Sequence, residues 1–283
     1  MNILKEAMEI YLKWQKYEVR GKYGSSILKG LLNFGINCVS YAKGTTMSRG
    51  PLYVGYDITY SCNLTCRYCD RWANREKGEL STGESKKMIQ DLGKLGVWLF
   101  SFNGGEPLLR KDIIELIKEA KKQGFLVDIN TNGWFLKEKA KELIDSKIDV
   151  ICISAESHNE ETHDKIKEME GSFKRIIKGA DEIKRLRTCR KPEIKVRVNV
   201  NGSNYEELGK YIDFWEKKVD GIQIQPIHES SSNFFKIPKE MGFSEKDKEK
   251  FTHFWNRLLE KYKFLDLAFY REFPTFFFEE RRL

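Results

Sequence analysis

Three cysteines fall within one short stretch of this 283-residue chain. They are Cys62, Cys66 and Cys69, in the run Tyr60-Ser61-Cys62-Asn63-Leu64-Thr65-Cys66-Arg67-Tyr68-Cys69. A Cys-x3-Cys-x2-Cys spacing allows three thiolates to converge on a single metal centre. Structural zinc takes four protein ligands, and so does an ordinary four-iron cluster. A set of three implies either a distant fourth ligand or an iron left open, and an open position is the catalytic arrangement because a small molecule can bind there. The other cysteines do not extend the set. Nothing around Cys38 pairs it with another ligand, Cys152 lies in an apolar run and reads as a small core hydrophobe, and Cys189 sits in the basic connector Arg187-Thr188-Cys189-Arg190. Nor do the six form a disulfide framework, which a chain of this length does not need in order to fold. A second candidate is Asn103-Gly104-Gly105-Glu106-Pro107. Its glycines let the backbone approach a ligand closely, its glutamate can accept from an ammonium group, and its proline stiffens the turn. There is no Gly-rich phosphate loop, HExxH or serine nucleophile elbow.

These residues need elements to hold them. From about residue 52, short apolar runs alternate with helical patterns. The runs are Leu52–Thr59, Val97–Phe102, Leu126–Asn130, Val150–Ser154, Ile194–Val200 and Ile222–Pro226, with helix-like stretches near 83–94, 111–123, 137–146, 172–187 and 204–218. Strand–helix alternation predicts parallel strands joined by right-handed crossovers. Several runs are almost wholly apolar, as expected of strands covered on both faces. Six such units close partly into a barrel, and function then belongs at the C-terminal strand ends. The predicted fold is a partial (β/α)6 TIM-like barrel over residues 52–229, with the cysteine loop directly after its first strand. His228 and Glu229 follow the sixth strand and are expected to face a substrate at the barrel mouth. Residues 1–51 carry two amphipathic patterns and read as an N-terminal helical module. Residues 230–283 read as a C-terminal helical and aromatic cap. Its helix starts at Phe243-Ser244-Glu245 and runs to about Tyr262, followed by the aromatic Phe264–Phe278, for which a substrate lid is the alternative.

Composition sets the outer limits. Hydrophobic residues at 40% and charged residues at 33% fit a globular protein rather than a disordered one. The net charge is +8, and residues 1–52 hold eight basic against three acidic side chains. The longest stretch free of Asp, Glu, Lys and Arg is Gly30–Ala42, 13 residues, too short for a conventional membrane span. With no signal-peptide core at its start, the chain is expected in the cytoplasm. The basic N-terminal helices allow peripheral contact with an anionic membrane, which would suit a lipid substrate. A zinc or iron–sulfur module that binds nucleic acid is the alternative from another class. The modest basic excess, and the lack of aromatic–basic interleaving around the cysteines, argue against it.

Together the cysteine loop, with Tyr68 just before its last cysteine, and the Gly104-Gly105-Glu106-Pro107 run 34 residues further on resemble the radical S-adenosylmethionine superfamily. Thr131-Asn132-Gly133 after the third run, Ser154 after the fourth, His163-Asp164 and Gly171-Ser172-Phe173-Lys174-Arg175 agree with that pattern, and the resemblance covers roughly 52–228. It implies an oxygen-sensitive [4Fe-4S] cluster held by Cys62, Cys66 and Cys69, with S-adenosylmethionine chelating the fourth iron. One-electron reduction would yield methionine and a 5′-deoxyadenosyl radical that takes hydrogen from a substrate. The resemblance also implies that Glu106 meets the cofactor's ammonium and that Ser154 and Arg175 bind its carboxylate. Thr131 and Asn132 would contact ribose or methionine, and Tyr68 would pack beside the adenine or cover the cluster. The implied substrate is a small molecule, lipid or peptide, and the implied electron donor a protein such as ferredoxin or flavodoxin. One departure stands out: members usually carry Asp-Gly after the serine of the fourth strand, whereas this chain has Ala155-Glu156-Ser157, which leaves Glu156 without an assigned role. With no cysteine after Cys189, the expectation is a single-cluster enzyme.

Overall fold

Alternation of β-branched and polar residues builds the sheet. In Glu193–Val200, the side chains of Ile194, Val196, Val198 and Val200 are buried, while Lys195, Arg197 and Asn199 between them are only partly covered. A computed structural model describes residues 32–33, 35–37, 39–40, 43–45, 50–73, 78–227, 238–244 and 247–262, without the side chains of Pro226 and Lys248. Within them, six strands form one sheet: β1 (Tyr53–Asp57), β2 (Leu99–Asn103), β3 (Leu126–Thr131), β4 (Val150–Ser154), β5 (Glu193–Val200) and β6 (Gly221–Pro226). All neighbours are parallel and in sequence order, with registers such as Asp57↔Asn103, Ser154↔Arg197 and Asn199↔Gln225. Laid flat, five strand spacings of about 4.8 Å would part β1 from β6 by roughly 24 Å. Asp57 of β1 and Gln225 of β6 instead line the same cavity, so the sheet is curled into the expected partial barrel.

Helices cover the outer face. Those wholly within the described residues are α1 (Thr82–Leu95), α2 (Ile113–Lys122), α3 (Leu136–Asp145), α4 (Glu160–Lys167), α5 (Ser172–Leu186), α6 (Leu208–Trp215) and α7 (Asp247–Lys261). Local chemistry fixes their ends. Ser81 and Glu84 form a reciprocal capping box at the start of α1, and Gly96 closes it in the left-handed conformation. Helix α4 was not among the helix-like stretches; its signal is Asn159, whose side chain accepts from Thr162 N at 3.0 Å. Apolar residues of α1, α2, α3, α5 and α6 meet the outward strand side chains in one core, where Phe100 stacks on Phe125 with ring centroids 5.6 Å apart. Phe251, Trp255 and Leu258 of α7 join that core, and the Tyr262 hydroxyl donates to Gly209 O.

The inner face departs from the expectation of strands that are apolar on both sides. Ser101, Asn103, Asp128, Asn130, Arg197, Asn199, Gln223 and Gln225 bond to one another across neighbouring strands. Asn130 Nδ2 donates to Ser101 Oγ at 3.0 Å, Ser101 Oγ to Asp128, Arg197 Nε to Gln223 Oε1 at 2.9 Å, and Gln225 Nε2 to Asn199 Oδ1 at 2.7 Å. A barrel interior is tolerated as polar when its groups bond to each other, since unpaired buried amides are costly. Among the described residues no helix is long and apolar enough to cross a membrane. Trp14, Cys38 and the Phe264–Phe278 segment lie outside the described residues, as do most of the expected N-terminal module and part of the cap.

One titration is built into the core. His163 on α4 is fully buried; its Nδ1 accepts from Glu156 N at 3.2 Å and its Nε2 has no partner. Burial, helped by the Lys167 charge, pushes its pKa down to about 3. The imidazole is therefore neutral in the fold, whereas in the unfolded chain it titrates near 6.5. Between those values the unfolded state holds the extra proton, so stability falls as pH falls, by up to about 1.4 kcal/mol per pH unit. Urea unfolding of His163→Asn, which keeps an acceptor for Glu156 N, should show that much less slope between pH 6 and 4. An unchanged slope would assign the acid sensitivity elsewhere.

Candidate active site

The cysteine loop hangs from the junction of the first two strands. Past Asp57 and Asn103 the two chains run on together: Ile58 N donates to Asn103 O at 3.0 Å, Gly105 N to Thr59 O at 2.7 Å and Glu106 N to Ser61 O at 2.8 Å. The glycines make this approach possible. Gly104 has φ +132°, and a Cβ there would lie 2.3 Å from Thr59 O; at Gly105 it would lie 2.3 Å from Ser61 O. Close approach of backbone to backbone is thus what both glycines serve, although both also border the cavity.

Cys62, Cys66 and Cys69 are partly exposed and line one cavity of about 400 Å³ at the C-terminal ends of the strands. Every strand contributes to its wall, through Asp57, Asn103, Asn130, Ser154, Asn199 and Gln225. Cys62 Sγ accepts from Leu64 N at 3.4 Å and from Asn132 Nδ2 at 3.9 Å. Burial raises the pKa of all three thiols, that of Cys66 to about 12, so ligation must displace their protons. Among the described residues no three His, Cys, Asp or Glu side chains converge on a point that one ion could fill. Three thiols that share a cavity without sharing a point fit a multi-iron cluster, in which each thiolate meets its own iron, better than zinc.

Glu106 is fully buried and its carboxylate is engaged within the fold. Oε1 accepts from Thr131 Oγ1 at 2.7 Å and Leu108 N at 3.0 Å, and Oε2 accepts from Asn132 N at 2.7 Å. It pins the end of β3 to the glycine turn and is not among the cavity-lining groups, which include Thr131 and Asn132. Tyr68 lines the cavity with its ring, while its hydroxyl donates to Glu156 Oε1 at 2.6 Å. Arg175 stands apart from the expected carboxylate site. In the first turn of α5 it pairs with Glu138 at 2.7 Å, stacks on the Trp134 ring at 4.6 Å and borders no part of the cavity, whereas Ser154 does. The helix points this residue back toward α3, and its nearest acid holds it there. His228 and Glu229 lie outside the described residues.

Several groups in the site were not foreseen. Lys167 lines the cavity and pairs with Glu156 at 3.1 Å, with side chains only 3% and 1% exposed. Burial alone would push the Glu156 carboxyl up, but Lys167 and the Tyr68 hydroxyl hold it below its ordinary value; the same pairing raises Lys167 despite its own burial. Arg71 on the cysteine loop bonds Asp57 at 2.8 Å. Arg197, Asn199 and Gln225 could have been read from the period-two polar positions of β5 and β6. The Glu156–Lys167 pair had no such signal, because it joins two segments across a helix turn.

Comparison with known proteins agrees with this geometry. The model of the Radical SAM superfamily matches residues 56–220. The chain is 34% identical over 170 residues to Fe-coproporphyrin III synthase of Methanosarcina barkeri, covering 58% of this chain and 41% of that protein. It is 28% identical over 228 residues to the AdoMet-dependent heme synthase of the same organism, covering 77% of this chain and 61% of that protein. It thus spans less than two thirds of the length of either relative. The crystal structure of Streptococcus suis SuiB bound to S-adenosylmethionine superposes with a TM-score of 0.64 at 18% identity, over 90% of this chain and 58% of that one, which is a likeness of fold. The matched span takes in the cysteine loop, the glycine turn and strands β2 to β5, and the chain belongs to the radical S-adenosylmethionine superfamily.

Proposed function

We propose that this chain is a radical S-adenosylmethionine enzyme whose Cys62, Cys66 and Cys69 hold a [4Fe-4S] cluster beside a cofactor seated across the strand ends. The observation that carries this reading is that three thiols and the ends of all six strands line one cavity. Cluster and S-adenosylmethionine, when bound, would supply a 5′-deoxyadenosyl radical that abstracts hydrogen from the substrate, with the electron delivered by a ferredoxin- or flavodoxin-like donor. The protein's own part is to hold, orient and exclude water. Leu64 N and Asn132 Nδ2 hydrogen-bond the Cys62 sulfur, Ser154 and Asn132 offer polar contacts to a cofactor, and Tyr68 walls one side. Much of the wall is amide and guanidinium, from Asn103, Asn130, Asn199, Gln225 and Arg197. That lining suits a hydrogen-bonding substrate with an anionic group, such as the porphyrins for which the two M. barkeri relatives are named, better than a lipid chain, which would set hydrocarbon against a polar wall.

The test is anaerobic reconstitution. The expected result is about four irons per chain, and conversion of S-adenosylmethionine to 5′-deoxyadenosine and methionine when dithionite is added. Stoichiometric zinc with no iron uptake would overturn the reading.

A further inference from the structure

A buried ammonium beside three cysteines needs an explanation, because an isolated charge would not remain ionised there. Lys167 is the last residue of α4, and the helix is tied to the cysteine loop by Arg67 N donating to Ile166 O at 3.0 Å. Its ammonium is fixed from behind. Glu156 Oε1 takes the 3.1 Å ion pair and the Tyr68 hydroxyl at 2.6 Å, and Glu156 Oε2 accepts from Asn199 N at 3.3 Å. The two ends of the pair do not face the same space. Lys167 lines the cysteine cavity, whereas Glu156 lines a separate cavity beside Ser157, His158 and Tyr211. Of the two partners, the one that lines the wall shared with the three cysteines is the cation. Among the described residues, the other charges lining the cavity are Asp57 and Arg71, which pair with each other, and Arg197 on β5.

We propose that Lys167 is a positioning residue that sets the redox poise of the cluster, its buried ammonium, anchored by Glu156, favouring the electron-loaded form. The proposal rests on the reading of Cys62, Cys66 and Cys69 as cluster ligands. The physics is a fixed charge acting on a one-electron couple. When one electron passes from an external reductant to the cluster, the thiolate-ligated cluster becomes one unit more negative, and a cation in a poorly screened site stabilises the product more than the reactant. Glu156 opposes this from farther back, so the two residues should pull the potential in opposite directions. Charge and buried hydrogen bonding near the ligand sulfurs are among the levers by which proteins move iron–sulfur potentials.

The experiment is a redox titration of the reconstituted cluster, without S-adenosylmethionine, followed by electron paramagnetic resonance with titanium(III) citrate as reductant. Wild type is compared with Glu156→Gln, Lys167→Arg and the double variant Glu156→Gln/Lys167→Met, which leaves no unpaired buried charge. The double variant is expected to be about tenfold less reduced at the wild-type midpoint, equivalent to a midpoint about 59 mV more negative. Glu156→Gln should move the midpoint upward, and Lys167→Arg should keep it. Equal midpoints in all four proteins would overturn the proposal, as would a Lys167→Arg shift matching that of the double variant. Should the double variant take up no cluster, the sign of the Glu156→Gln shift decides: upward supports the proposal, none or downward overturns it. Failure of wild type itself to bind iron would sink the parent reading rather than the role of Lys167.

Discussion

Replacing Cys62, Cys66 and Cys69 together by alanine is expected to take iron from about four per chain to near zero, and with it the brown colour and all reductive cleavage of S-adenosylmethionine. The fold should survive. All three thiols are partly exposed on a loop, and the main core is built from the outward strand faces and helices without them. Cys66 and Cys69 pack against the small cluster of Tyr68, Ile166 and Met241. Their truncation should therefore cost no more than about 1–2 kcal/mol in urea unfolding of the metal-free protein. The comparison is made by iron analysis and far-ultraviolet circular dichroism on the same samples. Iron retained by the triple variant would place the ligands elsewhere in the chain.

Glu106→Ala is expected to be the more damaging change to the fold itself, lowering unfolding stability by about 3–5 kcal/mol. It leaves Asn132 N–H, Leu108 N–H and the Thr131 hydroxyl without their acceptor in a fully buried place. Each unsatisfied buried donor costs about 1–3 kcal/mol, and losses that share one site do not add fully. Some of the loss is offset because burial already disfavours the charged carboxylate, whose pKa is raised. Glu106→Gln should fall between the two, keeping one acceptor oxygen but turning an NH2 toward donors. Denaturant titration of the metal-free protein checks this. A loss below about 1 kcal/mol, together with abolished S-adenosylmethionine binding, would return the carboxylate to the cofactor and remove it from the turn.

The contrast between Glu106 and Arg175 shows how far a sequence pattern reaches. Both stand in runs that resemble the superfamily, and both were expected around the cofactor's methionine end. The glycine turn does come to the cavity, because Gly104 and Gly105 abut the backbone leading into the cysteines. The side chain of Glu106, however, is drawn inward by donors from β3, a strand more than twenty residues away in sequence. Arg175 borders no part of the cavity and finds Glu138 and Trp134 instead. Spacing places a backbone; which way a polar side chain turns depends on the partners that other segments bring within reach.

Strand order, and the described helices other than α4, were legible in the chain by itself. Hydrophobic period and turn residues are local properties, and six alternating units leave parallel crossovers as the workable topology. The cysteine spacing and the glycine turn were legible for the same reason, since each is one contiguous run. What only the tertiary structure decided is the polarity of the barrel interior and the charge beside the cysteines. The amides of β2, β3, β5 and β6 are isolated polar letters in sequence, and they become one bonded wall only when the sheet curls. Glu156 and Lys167 are eleven positions apart on either side of a helix start, and neither has meaning alone. Burial turns them into a fixed ion pair, because a charge removed from water survives only with its partner in contact, and that contact exists only in the folded chain.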